Sequence, residues 1–269
     1  MTGRHFSHFL TAPRLLLLLL AFEYLVVVVS GVSFSFLQGD SFFSFGVDPL
    51  YWSFYGLQIP QFILANPWLA IATDVAIVVL LFLLIRDPLN RTIACWLFLL
   101  MILFYVTLTG YHTHRNFQTG FFLVLVPFLF KAGQGRQFAY NGIRYFLLFF
   151  YLSSAILKLL SPATFEPDHF AGVLQQQFLP YYLEGNTGWR TTINEYLASH
   201  PYLAQGLFLA ALITEGSTVA GFFTKRLDRW LGAMLICFHL ANWILMDIAP
   251  LGQLSFICLL FMGSVFNKR

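Results

Sequence analysis

Long apolar runs separated by short polar breaks dominate this chain. The first reads LLLLLLAFEYLVVVV over residues 15–29, and comparable runs recur to the C-terminal end. About 20 apolar residues are needed to cross ~30 Å of hydrocarbon. On that measure the pattern predicts spans at 13–33, 67–85, 92–110, 118–131, 143–160, 203–223, 229–247 and 250–266. The fourth is short and contains Pro127, so its far boundary is not set by the pattern. The breaks are compact and basic: RDPLNR at 86–91, KAGQGRQ at 131–137 and TKRLDR at 224–229. The expected fold is all-α: a polytopic membrane protein of about eight transmembrane helices in a single transmembrane domain, 1–269.

The basic residues orient these spans. Cytoplasmic loops carry the excess of Lys and Arg. Placing both termini in the cytoplasm puts all but Arg115, Lys158 and Arg190 of the 15 basic residues on that side. The first run has the basic start of a signal peptide, but Glu23 sits in its middle and no small-x-small cleavage site follows. It reads as the first span.

The two long connections fall on the outer side. Residues 34–66 are dense in Phe, Tyr and Trp, as in an interfacial aromatic belt with a short helix on the membrane surface. Residues 161–202 contain AGVLQQQFLPYYLEGN and read as partly helical, re-entrant or lid-like.

Composition agrees with the pattern. The chain is 58% hydrophobic and 10% charged, where soluble domains carry roughly a quarter charged residues. A net charge of +3 says little about partners. Nucleic-acid patches, Gly-rich phosphate loops, repeats and soluble domains are not in the pattern. Cys95, Cys237 and Cys258 all fall in spans without a paired spacing. They read as small packing residues, not as a disulfide or a metal site.

Five ionisable residues interrupt the apolar runs: Glu23, Asp74, Lys158, Glu215 and His239. Each costs ~2.5–3.5 kcal/mol on insertion scales, so such groups face a cavity or a partner. Lys158 lies about 21 Å up its predicted helix at 1.5 Å per residue, in the outer leaflet, where an ammonium can also snorkel to water. Glu215 and His239 lie at similar distances from the TKRLDR turn, on antiparallel neighbours. They read either as a buried pair that locks two helices or as part of a site. Asn242 shares a helical face with His239. Gly216, Ser217, Ala220 and Gly221 allow close helix approach.

The segment YHTHRNFQTG, 111–120, places His112, His114, Arg115 and Asn116 at the outer mouth between the third and fourth spans. Two histidines without a carboxylate or cysteine make a weak metal signal, and no metal is expected. The cluster reads as a polar group holding a ligand or oxyanion beside Lys158, or as a solvated turn.

The order of these features resembles a known family. A His/Asn cluster follows the third span. SSAILKL comes next, then DHFAG, LITEG, TKRLDR, FHLAN and a final APLGQLSFICLLF. This resembles the transmembrane part of vitamin K-dependent gamma-carboxylase and its bacterial relatives, the horizontally transferred transmembrane (HTTM) superfamily, over most of residues 70–266. The resemblance implies that Lys158, in the KL motif, is the base that deprotonates a quinol. It implies a quinone or hydroquinone cofactor, with His114, Arg115, Asn116, His112 and Phe170 as quinol-binding positions. The family's Asn–His pair falls near His114 and Arg115, so the histidine is out of register, and Phe170 stands where relatives carry tryptophan. The sequence stops at Arg269, without the large extramembrane part that positions substrate glutamates, so protein gamma-carboxylation is not expected.

The function expected is therefore a membrane enzyme that deprotonates or oxidises a quinol-like or other hydrophobic small molecule in an outward-facing pocket. Lys158 would be its base, and Glu215, His239, Asn242, Glu23 and Asp74 its structural or supporting groups. The alternative is a non-catalytic quinone-associated subunit similar to DoxX, or a membrane maturation or scaffold protein. Expected partners are a lipid-soluble molecule, membrane lipids and a protein on the extracytoplasmic side. The expected location is a bacterial inner membrane, with the active face extracytoplasmic.

Overall fold

The computed structural model describes residues 12–37, 56–111, 120–185 and 188–263, which are helices joined by turns, with no strand among them. Six helical segments are long and apolar enough to cross a membrane: Ala12–Val29, Pro67–Arg86, Arg91–Leu108, Gln134–Leu160, Pro201–Phe223 and Lys225–Met246. The chain is an all-helical integral membrane protein. Two of the eight expected spans are shorter, Gly120–Leu129 and Gln253–Met262. Each divides into a short α-helix and a 3-10 turn. In the first, Pro127 cannot donate to an α-helical ladder.

The helices are α1 (Ala12–Val29), α2 (Ile59–Leu64), α3 (Pro67–Arg86), α4 (Arg91–Tyr111), α5 (Gly120–Leu123), α6 (Gln134–Leu160), α7 (His169–Leu183), α8 (Trp189–Ala198), α9 (Pro201–Ser217), α10 (Val219–Phe223), α11 (Asp228–Met246) and α12 (Gln253–Cys258). They fall into two compact units, residues 1–143 with 251–269, and residues 144–250.

The first unit is held by two buried carboxylates. Asp74 of α3 accepts from Tyr24 Oη at 2.7 Å, Phe34 N at 3.3 Å, Ser35 N at 2.9 Å and Ser35 Oγ at 2.6 Å. It thus fixes α1 and the turn that follows it, and the several N–H and O–H bonds it accepts replace its lost hydration. Glu23 of α1 accepts from the backbone N–H of Leu254 at 3.1 Å and of Ser255 at 3.2 Å, satisfying orphan donors at the start of α12. The core around them is aromatic: Phe104 meets Tyr24, Phe34 and Phe121 edge-on at centroid distances of 5.4, 5.6 and 5.7 Å. Gly120 is required by a close approach, since a Cβ there would lie 1.8 Å from the Gly252 carbonyl oxygen.

In the second unit, Arg144 ties α6 to the first residue of α11. Its guanidinium makes a bidentate pair with Asp228, Nε to Oδ2 at 2.8 Å and Nη2 to Oδ1 at 2.7 Å, and Nη2 also donates to the Gly221 carbonyl at 2.6 Å. The Arg144 side chain is 1% exposed. In the sequence this residue reads only as a cytoplasmic positive charge. The polar turn TKRLDR therefore contributes an acid, Asp228, to a buried staple.

The outer connection 161–202 is ordered into a helical hairpin. Phe170, Ala171 and Leu174 of α7 pack on Leu197 of α8 and Ala204 of α9. Tyr182 Oη donates to Asn194 at 2.7 Å, and Asn194 donates to the Leu174 carbonyl at 3.3 Å. The hairpin is tied to the end of α11: Asp247 pairs with Arg190 and accepts from Tyr181 Oη, and Gln177 donates to the Met246 carbonyl. Arg190 also lies over the rings of Trp189 and Trp243. Its position against the orientation pattern thus has a local acidic partner. In the other long connection, α2 is the short helix that lies next to the third helix, and residues 38–55 lie outside the described residues.

Candidate functional site: a lysine–glutamate pair on an apolar groove

The site is built on one face of α6. Tyr151, Ser154, Ala155 and Lys158 stand at i, i+3, i+4 and i+7, so they line up along that face. Each polar member finds a partner on another helix. Lys158 Nζ donates to Glu215 Oε2 of α9 at 2.5 Å, and Ser154 Oγ donates to Glu215 Oε1 at 3.2 Å. Tyr151 Oη and His239 Nε2 of α11 share a hydrogen bond of 2.6 Å. Gly216, beside the glutamate, brings α9 close: a Cβ there would meet the Ala155 Cβ at 3.9 Å.

This corrects the expected pairing. Glu215 and His239 do not lock two helices by meeting each other; each is taken by a different residue of α6. The depth argument placed the two side chains at similar heights, but α6 lies with both, and its polar face offers each a better-matched partner. Lys158 occupies the last turn of α6 and is not left to snorkel alone. Its last-turn carbonyl accepts from Thr164 Oγ1, and the Thr164 carbonyl accepts from Gln205 Nε2 at 2.5 Å, so the helix end that carries the lysine is itself fixed.

Lys158 reaches a groove of about 590 Å³ between α7, α9 and α11. Its wall is apolar: Phe170 and Val173 from α7, Leu207 and Phe208 from α9, and a face of α11 running from Trp230 to Met246. That face is about 24 Å long at 1.5 Å per residue, close to the hydrocarbon thickness of ~30 Å. Lys158, Thr214 and Asn242 supply its principal polar side chains. Thr214 Oγ1 is committed to the Ala210 carbonyl of its own helix at 2.9 Å. Phe208 packs on Phe170 at 5.5 Å and on His169 at 5.4 Å, which holds the α7 side in place.

The side-chain charges at the site are unequally exposed. Lys158 is 34% exposed, on the groove side, whereas Glu215 is 4% exposed and lies behind it. The ammonium is the group a bound molecule would meet, and the carboxylate is its fixed counter-charge.

Of the residues expected from sequence, Lys158, Phe170 and Asn242 come together on the groove. Glu215 and His239 stand behind them, in contact with α6. Glu23 and Asp74 belong to the other unit and hold its helices. His112, His114, Arg115 and Asn116 lie outside the described residues. Cys237, expected to be a buried packing residue, is exposed on the groove, and Cys95 is exposed as well, while Cys258 is half-buried. Sequence reading passed over Tyr151 and Ser154. Their signal was present in YLSSAILK as a polar face at helical spacing.

No family model, no curated protein and no solved structure matches the chain.

Proposed function

We propose that this protein is a membrane enzyme related to the vitamin K-dependent carboxylase and HTTM group, acting on a quinol-like or other hydrophobic small molecule in the groove beside Lys158. The observation that carries this reading is the placement of one ammonium, backed by a buried carboxylate at 2.5 Å, on the wall of a membrane-length apolar groove. An isolated ionisable group within a span is a functional-site hypothesis by default, and here it has both a partner and a cavity.

The chemistry follows from the pair. In the proposed step Lys158 Nζ passes one proton to Glu215 Oε2, 2.5 Å away, and the amine left behind faces the groove. That amine takes the proton of a substrate hydroxyl, and the resulting ammonium stabilises the oxyanion it has created. Burial of the Glu215 carboxylate away from water strengthens its interaction with the lysine. Asn242, one turn of α11 beyond Phe238, offers an amide to orient the same head group. Eight spans with both termini cytoplasmic would place the groove's head-group end extracytoplasmic, in a bacterial inner membrane.

The test is turnover of a soluble reduced quinol by purified protein in nanodiscs. Lys158→Ala is expected to insert and fold but to lose turnover, whereas Asn242→Ala is expected to raise KM. Unchanged turnover in Lys158→Ala would remove the lysine from the mechanism.

One observation favours a second reading. Lys158 is committed to a protein partner, Glu215, at 2.5 Å, as suits a non-catalytic DoxX-like quinone-associated subunit or a maturation or scaffold protein with a partner on the extracytoplasmic side. On that reading the purified chain binds the quinol but turns none over, and activity appears only with a co-purifying oxidoreductase.

A further inference from the structure

We infer that Glu215 sets the charge selectivity of the groove, so that the site takes an electroneutral amphiphile with a hydroxyl or carbonyl head and rejects amphiphiles with an anionic head. This rests on the reading of the groove as a ligand site and adds the class of molecule that fits it. A lone lysine at the wall of an apolar cavity would favour a carboxylate, sulfonate or phosphate. Lys158 is not alone. Its charge is matched at 2.5 Å by Glu215 Oε2, and the other carboxylate oxygen is held by Ser154 Oγ at 3.2 Å, so the counter-charge cannot swing away to make room for a competing anion.

The other basic group near the pair is also committed. His239 faces Tyr151 Oη at 2.6 Å and does not line the groove. Thr214 donates to its own helix. An anionic head entering here would leave water for a site whose net side-chain charge is zero, and an anion so desolvated without compensation is strongly disfavoured. A hydroxyl or carbonyl oxygen meets no such penalty. It needs one donor or acceptor, and the remaining N–H bonds of Lys158 or the amide of Asn242 provide it.

The shape of the groove fixes how such a molecule lies. Lys158 Nζ is 6.0 Å from the Phe238 ring, and Asn242 is one turn further along α11. From Phe238 to Trp230 the groove continues for about 12 Å of helix past Cys237, Met234 and Ala233, with no Asp, Glu, Lys, Arg or His side chain. The head therefore sits at Lys158 and Asn242, and an alkyl or isoprenoid tail runs toward Trp230.

Trp230, which lines the tail end and is 72% exposed, supplies the reporter. Full-length protein in phosphatidylcholine nanodiscs is titrated with a long-chain alcohol brominated at mid-chain, and separately with the matching alkyl sulfonate, whose head stays anionic at any working pH. Quenching lost in Trp230→Phe isolates the groove signal. The expected result is a preference for the alcohol of about tenfold in the wild type, equivalent to one decade in Kd. In Glu215→Gln, where the ammonium is no longer matched, the order reverses and the sulfonate binds more tightly. Equal quenching by both probes in the wild type, or an unchanged ratio in Glu215→Gln, overturns the inference and leaves the groove standing as a ligand site. No quenching by either probe overturns the ligand-site reading itself, and if the protein also runs as a dimer, a second copy covers the groove instead. Should Glu215→Gln fail to assemble, the wild-type ratio decides alone.

Discussion

Arg144→Met is the sharpest test of how the second unit is held. The substitution keeps an unbranched side chain of similar reach but removes both N–H bonds to Asp228 and the bond to the Gly221 carbonyl. Asp228 is then a buried carboxylate without its cation. Breaking a buried pair by removing one partner costs about 3–5 kcal/mol. Asp228 lies in the first turn of α11, where the helix dipole favours a negative charge, which puts the expected loss near the lower end, about 3 kcal/mol. A shift of 2–4 °C per kcal/mol makes that a fall in midpoint of roughly 6–12 °C. Removing both charges in Arg144→Met/Asp228→Leu eliminates the orphaned carboxylate and leaves the Gly221 and Thr224 carbonyls without the arginine donor, so at least half of the loss should return. Thermal unfolding in one detergent, followed by circular dichroism and by accessibility of Cys237 to a thiol reagent, reads both variants. Additive losses in the double variant would show that the two residues do not act as a pair, and a single-variant shift under about 2 °C would show that the staple contributes little.

Other expected outcomes follow from the same geometry. Asp74→Ala strands Tyr24 Oη and the N–H groups of Phe34 and Ser35, each worth ~1–3 kcal/mol when buried without a partner; it should lower the unfolding midpoint more than Tyr24→Phe, which removes one bond. Glu23→Leu should destabilise the first unit, whereas Glu23→Gln, which keeps a carbonyl acceptor for the α12 N–H groups, should recover most of that loss in the same assay. Gly120→Ala forces a Cβ to 1.8 Å from the Gly252 carbonyl oxygen and should abolish accumulation of folded protein in membranes. A normal yield of that variant would mean that α5 and the turn at Gly252 are not so closely apposed.

The apolar pattern was enough to locate the six long spans, the first helix among them, because a run of about 20 apolar residues has few alternatives to a membrane helix. It did not show that the fourth and last runs tighten into 3-10 turns at Val126–Leu129 and Leu259–Met262, because hydropathy does not register that change. At the candidate site the sequence marked Lys158, Glu215, His239 and Asn242 as exceptional, since charge and polarity inside a span carry their own penalty. It could not say who meets whom. Depth along antiparallel helices suggested Glu215 with His239, but partner choice depends on which helix faces are turned together, and the α6 face of Tyr151, Ser154 and Lys158 supplied the competing partners. Arg144 was legible only as charge; its burial depends on Asp228 across a turn that otherwise reads as solvated.

The bond between Glu23 and the start of α12 links residues 231 positions apart. It therefore imposes an order on biogenesis. α1 leaves the ribosome carrying a carboxylate whose partners, the N–H groups of Leu254 and Ser255, are synthesised only after α9 and α11 have been made. Throughout that interval the insertion machinery must hold a helix with an unsatisfied acid in its middle, at a cost of ~2.5–3.5 kcal/mol on insertion scales. α1 thus gains the partners of its carboxylate only once α12 has been made. Chains truncated before residue 254 should therefore turn over faster in the membrane than the full chain, and Glu23→Leu should narrow that difference.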